Sequence, residues 1–544
     1  MNISARNLGG VGIVSDINSY DLPPNAVSAG VNVRFENGTI SRSPVMRRVY
    51  EFAGTYASFT PSYMFSIPPL AAGAEALINV AADYTKIYSV TGVTIADLTP
   101  AGILGTGATD QPYTHTFLGN VAYLNRSTTI PLVKRQADAT FISLPNWGAS
   151  DRCKAMRSYK DFLVALNVTK AGVDYPTMVK WSDITPFGSY PPSWTSTTTN
   201  SAGENVLNEM RGPLLDGRSL RDTFFLYGQN EVWVMSYVGG DFIFDFRKRF
   251  ESVGVINTNC VVEVDGFHYV FDKNDIYKHD GSTKDSIIHG KNKDFLFQSL
   301  KKDLAYLCFT HHDPKLNEIR FCYASGDRLV GFNNPTTGCN RAAVYNYRRD
   351  TWSFDDAPNV VAATSASIAT GQTYDSVGTT VYQSIGGTYL GDGDQAERHS
   401  LFLSRSDALQ GITFNRILGL DLLTGGRLSR PIEPEALKDA FIERVGIDLD
   451  EKGFSLASFK SFLGFYPQLS IRGGATQVKY QFGASTFTGA EPVWNTPQTF
   501  DPVTQNKLDV RVAGRYLSYR LYHSGITDFR FSGYDMRLTK RGKQ

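Results

Sequence analysis

The sequence predicts an all-β protein, a β-propeller of about six irregular blades with a flanking β-sandwich-like platform domain. Three observations carry that expectation. The first is composition: 28 Tyr, 34 Phe and 49 Gly among 544 residues, aromatic strand formers cut often by a residue that permits tight turns. The second is a recurring two-strand phrase, an alternating apolar run, a short turn, and a second run that in most copies carries an aromatic. It occurs at 76–80 with 86–89, 119–124 with 131–134, 161–166 with 179–182, 223–227 with 232–235, 267–271 with 275–278, and 343–346 with 350–354. Its closing strands return roughly every 45 to 55 residues until a longer last gap, near the period of propeller blades. The third is renewed strand alternation over 426–544, after a weakly patterned stretch.

Taken along the chain, residues 1–50 form an N-terminal arm with closing strands. Asp21-Leu-Pro-Pro-Asn25 is an extended corner, because each proline fixes its own φ and drives its predecessor out of the α region. Val31-Asn-Val-Arg-Phe35 alternates as a strand, and Asn37-Gly38 is the strongest short hairpin signal. One strand of this arm is expected to pair with a late strand, since a circular fold must join its ends. Residues 51–360 hold the propeller, with a loop insertion at 183–217 marked by Pro186, Pro191, Pro192 and Trp194. A long loop in a compact domain is either functional or folded over a neighbouring blade. Residues 361–425, rich in Ala, Ser, Thr and Gly, read as an insertion or linker. In 426–544, the C-terminal platform, Leu517, Tyr519 and Leu521 alternate with Ser518, Arg520 and Tyr522, as in a half-exposed sheet. One helix is expected there, over 433–443, with Pro434 at its start.

Charge and cysteine content narrow the function classes. With 54 basic and 53 acidic residues the net charge is +1, so no strong global field attracts nucleic acid or anionic membrane. Five cysteines lack any two-residue spacing, which points to buried reduced thiols and away from zinc knuckles or redox motifs. Met1–Val14 has no apolar run of signal-peptide length, and 67–82 is broken by Pro68, Pro69 and Glu75. Neither export nor membrane insertion is expected.

A search for chemistry yields no catalytic constellation, no metal site and no cofactor. Phosphate-cradling glycine loops and the serine-hydrolase elbow are missing from the sequence. In His311-His312-Asp313 adjacent side chains on a strand would face opposite ways, so a turn before Pro314 is expected in place of a metal centre. Gly391-Asp-Gly-Asp394 lacks the rest of an EF-hand spacing. Basic clusters remain. Arg247, Lys248 and Arg249 follow an aromatic strand, and Lys291 and Lys293 come later. These five are the candidates for lining a DNA channel, since sequence-independent phosphate contact needs only Lys and Arg; solvated loops are the plainer alternative.

Whole phrases then become recognisable. Gly9-Gly-Val11, Asp21-Leu-Pro-Pro-Asn-Ala26, Gly30-Val-Asn-Val-Arg34, Pro192-Ser-Trp194, Leu220-Arg-Asp222, Val232-Trp-Val-Met-Ser-Tyr-Val-Gly239, Ile276-Tyr-Lys-His-Asp-Gly281, Thr351-Trp352, Gly514-Arg-Tyr-Leu-Ser-Tyr-Arg520 and Phe531-Ser-Gly-Tyr-Asp535 follow one another in an order that resembles the tail nozzle proteins of short-tailed bacteriophages, the tail tubular protein B or head-to-tail stabilisation family. The resemblance touches most of the chain outside 360–425. It implies a non-enzymatic virion protein, assembled in the host bacterial cytoplasm as a homo-hexameric ring below the portal and adaptor rings. Such a ring retains the genome, conducts DNA at ejection through non-specific contact, and can anchor tail fibres or spikes. The rival expectation is a propeller lectin or polysaccharide-degrading tail enzyme, against which stands the absence of Asp-box repeats. A scaffold propeller of the WD kind lacks its signatures here.

Overall fold

The computed structural model describes residues 1–68, 78–83, 85–91, 94–102, 112–240, 242–327, 337–367, 398–407, 412–421, 439–455, 457–472, 477–524 and 527–543. Strands dominate them, and the recurring phrase forms the heart of each blade. In blades one to five its two runs are the second and third strands of four-stranded antiparallel sheets, as where Leu124 pairs Leu132, Leu226 pairs Trp233 and Val270 pairs Tyr277; in blade six they are the third and fourth strands. Both strands are buried on both faces, since each blade is packed between two others. That explains why the phrase reads as nearly continuous apolar sequence.

Seven such units close into a ring. Five are complete sheets beginning with the strands Tyr63–Ile67, Tyr113–Leu118, Arg152–Tyr159, Leu214–Leu220 and Val261–Val264. Blades six and seven share one seven-stranded sheet through the long strand Thr351–Ser367. Its first part pairs with Cys339–Asn346 as the outer edge of blade six; its second part pairs with Arg398–Ser404 as the inner strand of blade seven. The register breaks at Val360, just after Pro358 and Asn359, whose φ is 50°. A proline without an N–H and a residue in the left-handed region release the ladder there. Blade seven is completed by Arg416–Asp421 and, from the N-terminal arm, Val45–Glu51. The ring is thus closed by a strand from the opposite end of the chain, which forms the outer edge of blade seven. Blade seven meets blade one across Leu401, Leu403, Phe65 and Val80, all buried.

Two further sheets form the platform. One runs in the order Val33–Glu36, Thr39–Arg42, Asp528–Lys543, Ser458–Arg472, Leu508–Gly514, with Asn2–Arg6 also on Asp528–Lys543. The other runs Ala29–Val31, Ala440–Ile447, Tyr516–His523, Val478–Ser485, Val493–Trp494, with Gln498–Phe500 also on Val478–Ser485. They pack face to face as a sandwich through an aromatic core. The Phe465 ring lies 5.2 Å from Phe482 and 5.7 Å from Tyr519. The Asn37–Gly38 hairpin forms as expected, with φ of 48° and 74°, both central residues positive as a primed turn requires. Val31 pairs with Phe441, so the arm does join a late strand.

Several expectations need correction. Blades number seven against about six, because blade seven has no copy of the phrase. The segment 361–425, expected as an insertion or linker, supplies three blade strands within its described residues. Of the insertion 183–217, Gly203–Val206 is the fourth strand of blade three and Leu214–Leu220 opens blade four. The remaining loop folds over blade two, where Trp194 meets Trp147 edge-on at 4.6 Å and Asn146 donates to the Pro191 carbonyl. The helix expected over 433–443 lies partly outside the described residues; its described end is the start of strand Ala440–Ile447. Alternate burial of Ala440, Ile442 and Arg444 against the sandwich overrides local helix propensity. His311-His312-Asp313 is strand, not turn: it closes Phe309–Asp313, and the chain turns only after Asp313.

Candidate functional site

The first strands of the blades run side by side around the propeller axis and enclose a polar shaft. Neighbouring inner strands touch from blade two round to blade one, and Tyr63 stacks on Tyr113 at 5.6 Å to join blades one and two. Two adjoining cavities of about 350 and 370 Å³ occupy the axis. Both are bounded by His115, Arg157, Arg218 and Glu263, from blades two, three, four and five.

Arg157 is held rigidly. Its Nε and Nη2 donate to the two oxygens of Asp216 at 2.8 Å each, Nη2 also to Asn259, and Nη1 to the His115 carbonyl. Burial opposes its charge, but the Asp216 carboxylate more than offsets that and raises its pKa. His115 stacks on Phe65 at 4.8 Å, with Nδ1 2.7 Å from the Tyr63 hydroxyl. Burial, then Arg157 and Arg218, push its pKa down to about 3, so the ring is neutral. Arg218 differs: its side chain is open to the cavity. Among the described residues no hydrogen-bond or ion-pair partner meets its guanidinium. What the shaft offers is guanidinium donors with the Glu263 carboxylate beside them, the chemistry of polar binding.

The five DNA-channel candidates lie elsewhere. Arg247, Lys248 and Arg249 are on Phe244–Glu251, the outermost strand of blade four. Arg247 pairs with Asp245 at 2.6 Å, Lys248 with Glu251 and Glu231 at 3.2 and 3.4 Å, and Arg249 donates to the Gly281 carbonyl. Lys291 pairs with Asp350 at 2.7 Å, and Lys293, at the start of helix Lys293–Ser299, with Asp275 at 3.6 Å. None of the five lines the shaft.

His311 and Asp313 do share a face of their strand, and Ser400 joins them. Its Oγ donates to Asp313 Oδ2 at 2.7 Å and lies 2.9 Å from His311 Nε2. Activation of a nucleophile needs the hydroxyl proton directed to the imidazole; here it goes to the carboxylate, and all three side chains are buried. Among the described residues no group of three or more His, Cys, Asp or Glu is placed to hold a metal ion. The Gly391–Asp394 loop lies outside them.

All five cysteines are free and buried. Burial raises every thiol pKa, Cys322 to about 12. At neutral pH such a shift leaves roughly a thousand-fold less thiolate than an exposed cysteine. The native protein is therefore expected to give no fast reaction with a disulfide reagent such as DTNB, and five thiols once unfolded; rapid native labelling would contradict the buried placement.

Sequence reading missed the shaft residues because it followed the apolar strands. The signal lies one strand earlier, where Thr114-His-Thr116, Arg157-Ser158, Arg218-Ser219 and Thr310-His-His312 interrupt otherwise apolar blades.

The fold is a β-propeller carrying a two-sheet β platform. No family model matches the chain, and no curated protein does. Among solved structures, the chain is similar to YCF48 bound to D1 peptide, at 10% identity and TM-score 0.33, over 69% of this chain and 95% of that one. It is similar to the AfRom2 CNH domain at 9% and 0.37, over 69% and 99%, and to the N-terminal domain of Nup159 at 9% and 0.34, over 70% and 95%. Likeness at this level says nothing of ligand or role.

Proposed function

We propose that this chain is a structural subunit of a short-tailed phage tail nozzle, a homo-hexameric ring that meets the adaptor ring on one side, carries fibres or spikes on its flank, and conducts genomic DNA. The observation that carries this reading is the joining of a closed propeller to a platform sandwich through both chain ends, the architecture that the ordered sequence phrases imply. Such a rigid wedge suits repeated heterologous contacts closed into a ring. DNA would pass between subunits along the axis of the ring, since the propeller shaft holds only two cavities of about 350 and 370 Å³ among the described residues. The outer-strand cations, Arg247 with its side chain 81% exposed, are then the groups available to phosphates.

A contact surface of suitable chemistry is present. Loops on one rim of blades two to four expose Ile184, Phe187, Tyr237, Val238 and Phe242. They are neighbours: Gly188 donates to the Gly119 carbonyl, Thr185 to the Asp161 carbonyl, and Tyr237 packs against Phe162. Phe187 and Phe242 are 78% and 82% exposed, more than an isolated monomer gains from.

The purified protein is expected to give particles of six times the chain mass by mass photometry, and a six-fold ring on the head-to-tail axis of the virion. Phe187→Ser with Phe242→Ser should shift the mass to one chain while leaving the melting temperature within about 2 °C, the effect of an exposed substitution. A monomer at all concentrations, or virions without the protein, would end this reading.

A further inference from the structure

The propeller shaft presents a guanidinium that meets no hydrogen-bond or ion-pair partner among the described residues. Arg157 and Arg218 come from adjacent blades and border the same cavities. Asp216 is committed to Arg157 through two hydrogen bonds and also accepts from the Asn259 N–H. Glu263, the other carboxylate bordering the shaft, accepts from the Gly266 N–H at 2.9 Å and makes no ion pair with Arg218. His115 is neutral, and His311 and His312 have their Nε2 atoms at Ser400 and Tyr347. Arg218, exposed to the cavity, therefore projects five guanidinium donors into a polar space, and among the described residues no acceptor meets them.

Two guanidiniums face one cavity, and the Arg218 donors are not taken up by the carboxylates beside it, so an anion entering the cavity meets a free charged donor set. We propose that the shaft is a binding site for a small phosphate-type oxyanion, taken by the free donors of Arg218 beside the fixed charge of Arg157. The geometry fits the role. Arg157 is pre-oriented by Asp216 and Asn259, so little is lost in ordering it, and planar guanidinium forks match tetrahedral oxyanions. Thr116 and Ser219 border the same space, their hydroxyls bonded to Ser158 on the neighbouring blade. The site is independent of ring assembly, because all its residues belong to one propeller.

The test uses the full chain and inorganic phosphate as the probe. Thermal melts in sodium phosphate and in sodium chloride of equal ionic strength are compared, with titration calorimetry in a non-phosphate buffer. The wild type is expected to be stabilised saturably by phosphate and not by chloride. Arg218→Gln should weaken phosphate binding roughly tenfold or more, the loss of a charged donor set. Without phosphate it should melt no lower than wild type, since it relieves like-charge repulsion. Arg247→Gln, on the outer strand, should keep the full response. An equal phosphate response in wild type and Arg218→Gln, or none in either, would overturn the proposal. So would an Arg218→Gln protein clearly less stable than wild type in phosphate-free buffer.

Discussion

Arg34→Met is expected to destabilise the protein by ~3–5 kcal/mol, the cost of leaving buried charge uncompensated. Arg34 sits on the platform strand Val33–Glu36 and reaches into blade six. Its Nη1 and Nη2 donate to the two oxygens of Asp355 at 2.9 and 2.5 Å, and its Nε meets Glu318. Arg320 closes the square, 2.9 Å from Asp355 and 3.1 Å from Glu318, and Ser43 donates to Asp355 at 2.7 Å. All four charged side chains are 6% exposed or less, so water cannot replace a lost partner. Burial alone would raise the Asp355 carboxyl; Arg34, Arg320 and Ser43 overcome it and hold it well below the usual carboxylate range. Removing Arg34 leaves one guanidinium between two carboxylates. Arg34→Met with Glu318→Gln restores the balance and should recover part of the loss, measured by urea unfolding as a double-mutant cycle. Because the square ties platform to propeller, the single variant should also open the 43–45 and 355–360 segments to protease. A loss under about 1 kcal/mol would show that the square contributes nothing net.

How much of this was legible beforehand follows from burial. Blades one to six announced themselves because the paired strands that carry the phrase, the second and third in blades one to five and the third and fourth in blade six, are packed between neighbours, so their apolar runs mark the fold with little noise. Blade seven did not, since its strands come from 45–51, 360–367, 398–404 and 416–421, and no local pattern records a pairing across more than three hundred residues. Asn37-Gly38 was legible because turn chemistry is local; the strand at Ala440 was not, because only the facing sheet selects it over a helix. The shaft was hidden for another reason. Arg157, Arg218 and His115 each look like an ordinary polar residue on a strand, and only ring closure brings blades two, three and four to a common axis. The basic run at Arg247–Arg249 stood out in sequence, yet lies on an outer strand with acids beside two of its three members. Adjacency in sequence marked a surface, while convergence in space made the cavity.

Acid is expected to unfold the protein steeply between pH 6.5 and 4, well above the range in which paired carboxylates titrate. Five histidines, four of them buried and His115 half-buried, are neutral. Burial pushes His115 and His268 down to about 3, and His279, His311 and His523 to about 4. Their surroundings explain this: the Tyr227 hydroxyl lies 2.6 Å from both His268 Nδ1 and His279 Nε2, a pairing that needs neutral rings. The unfolded chain takes up protons on these groups near pH 6.5, and the folded chain only near 3 to 4. Stability is therefore complete above the unfolded value and falls as pH drops through the interval between the two. Each histidine contributes a limiting slope of about 1.4 kcal/mol per pH unit, so five together approach roughly 7. Against a total stability of ~5–15 kcal/mol, such a slope exhausts the native state within about two pH units. The Asp355 contribution belongs to a lower window, because a depressed carboxylate loses its effect only as pH falls below its ordinary range. Urea midpoints at pH 8, 7, 6 and 5 would give the proton uptake directly, with His268→Gln flattening the profile by one proton. A midpoint that stays level from pH 7 to 5 would mean that these rings are protonated within the fold, and that the Tyr227 bridge is not built as described.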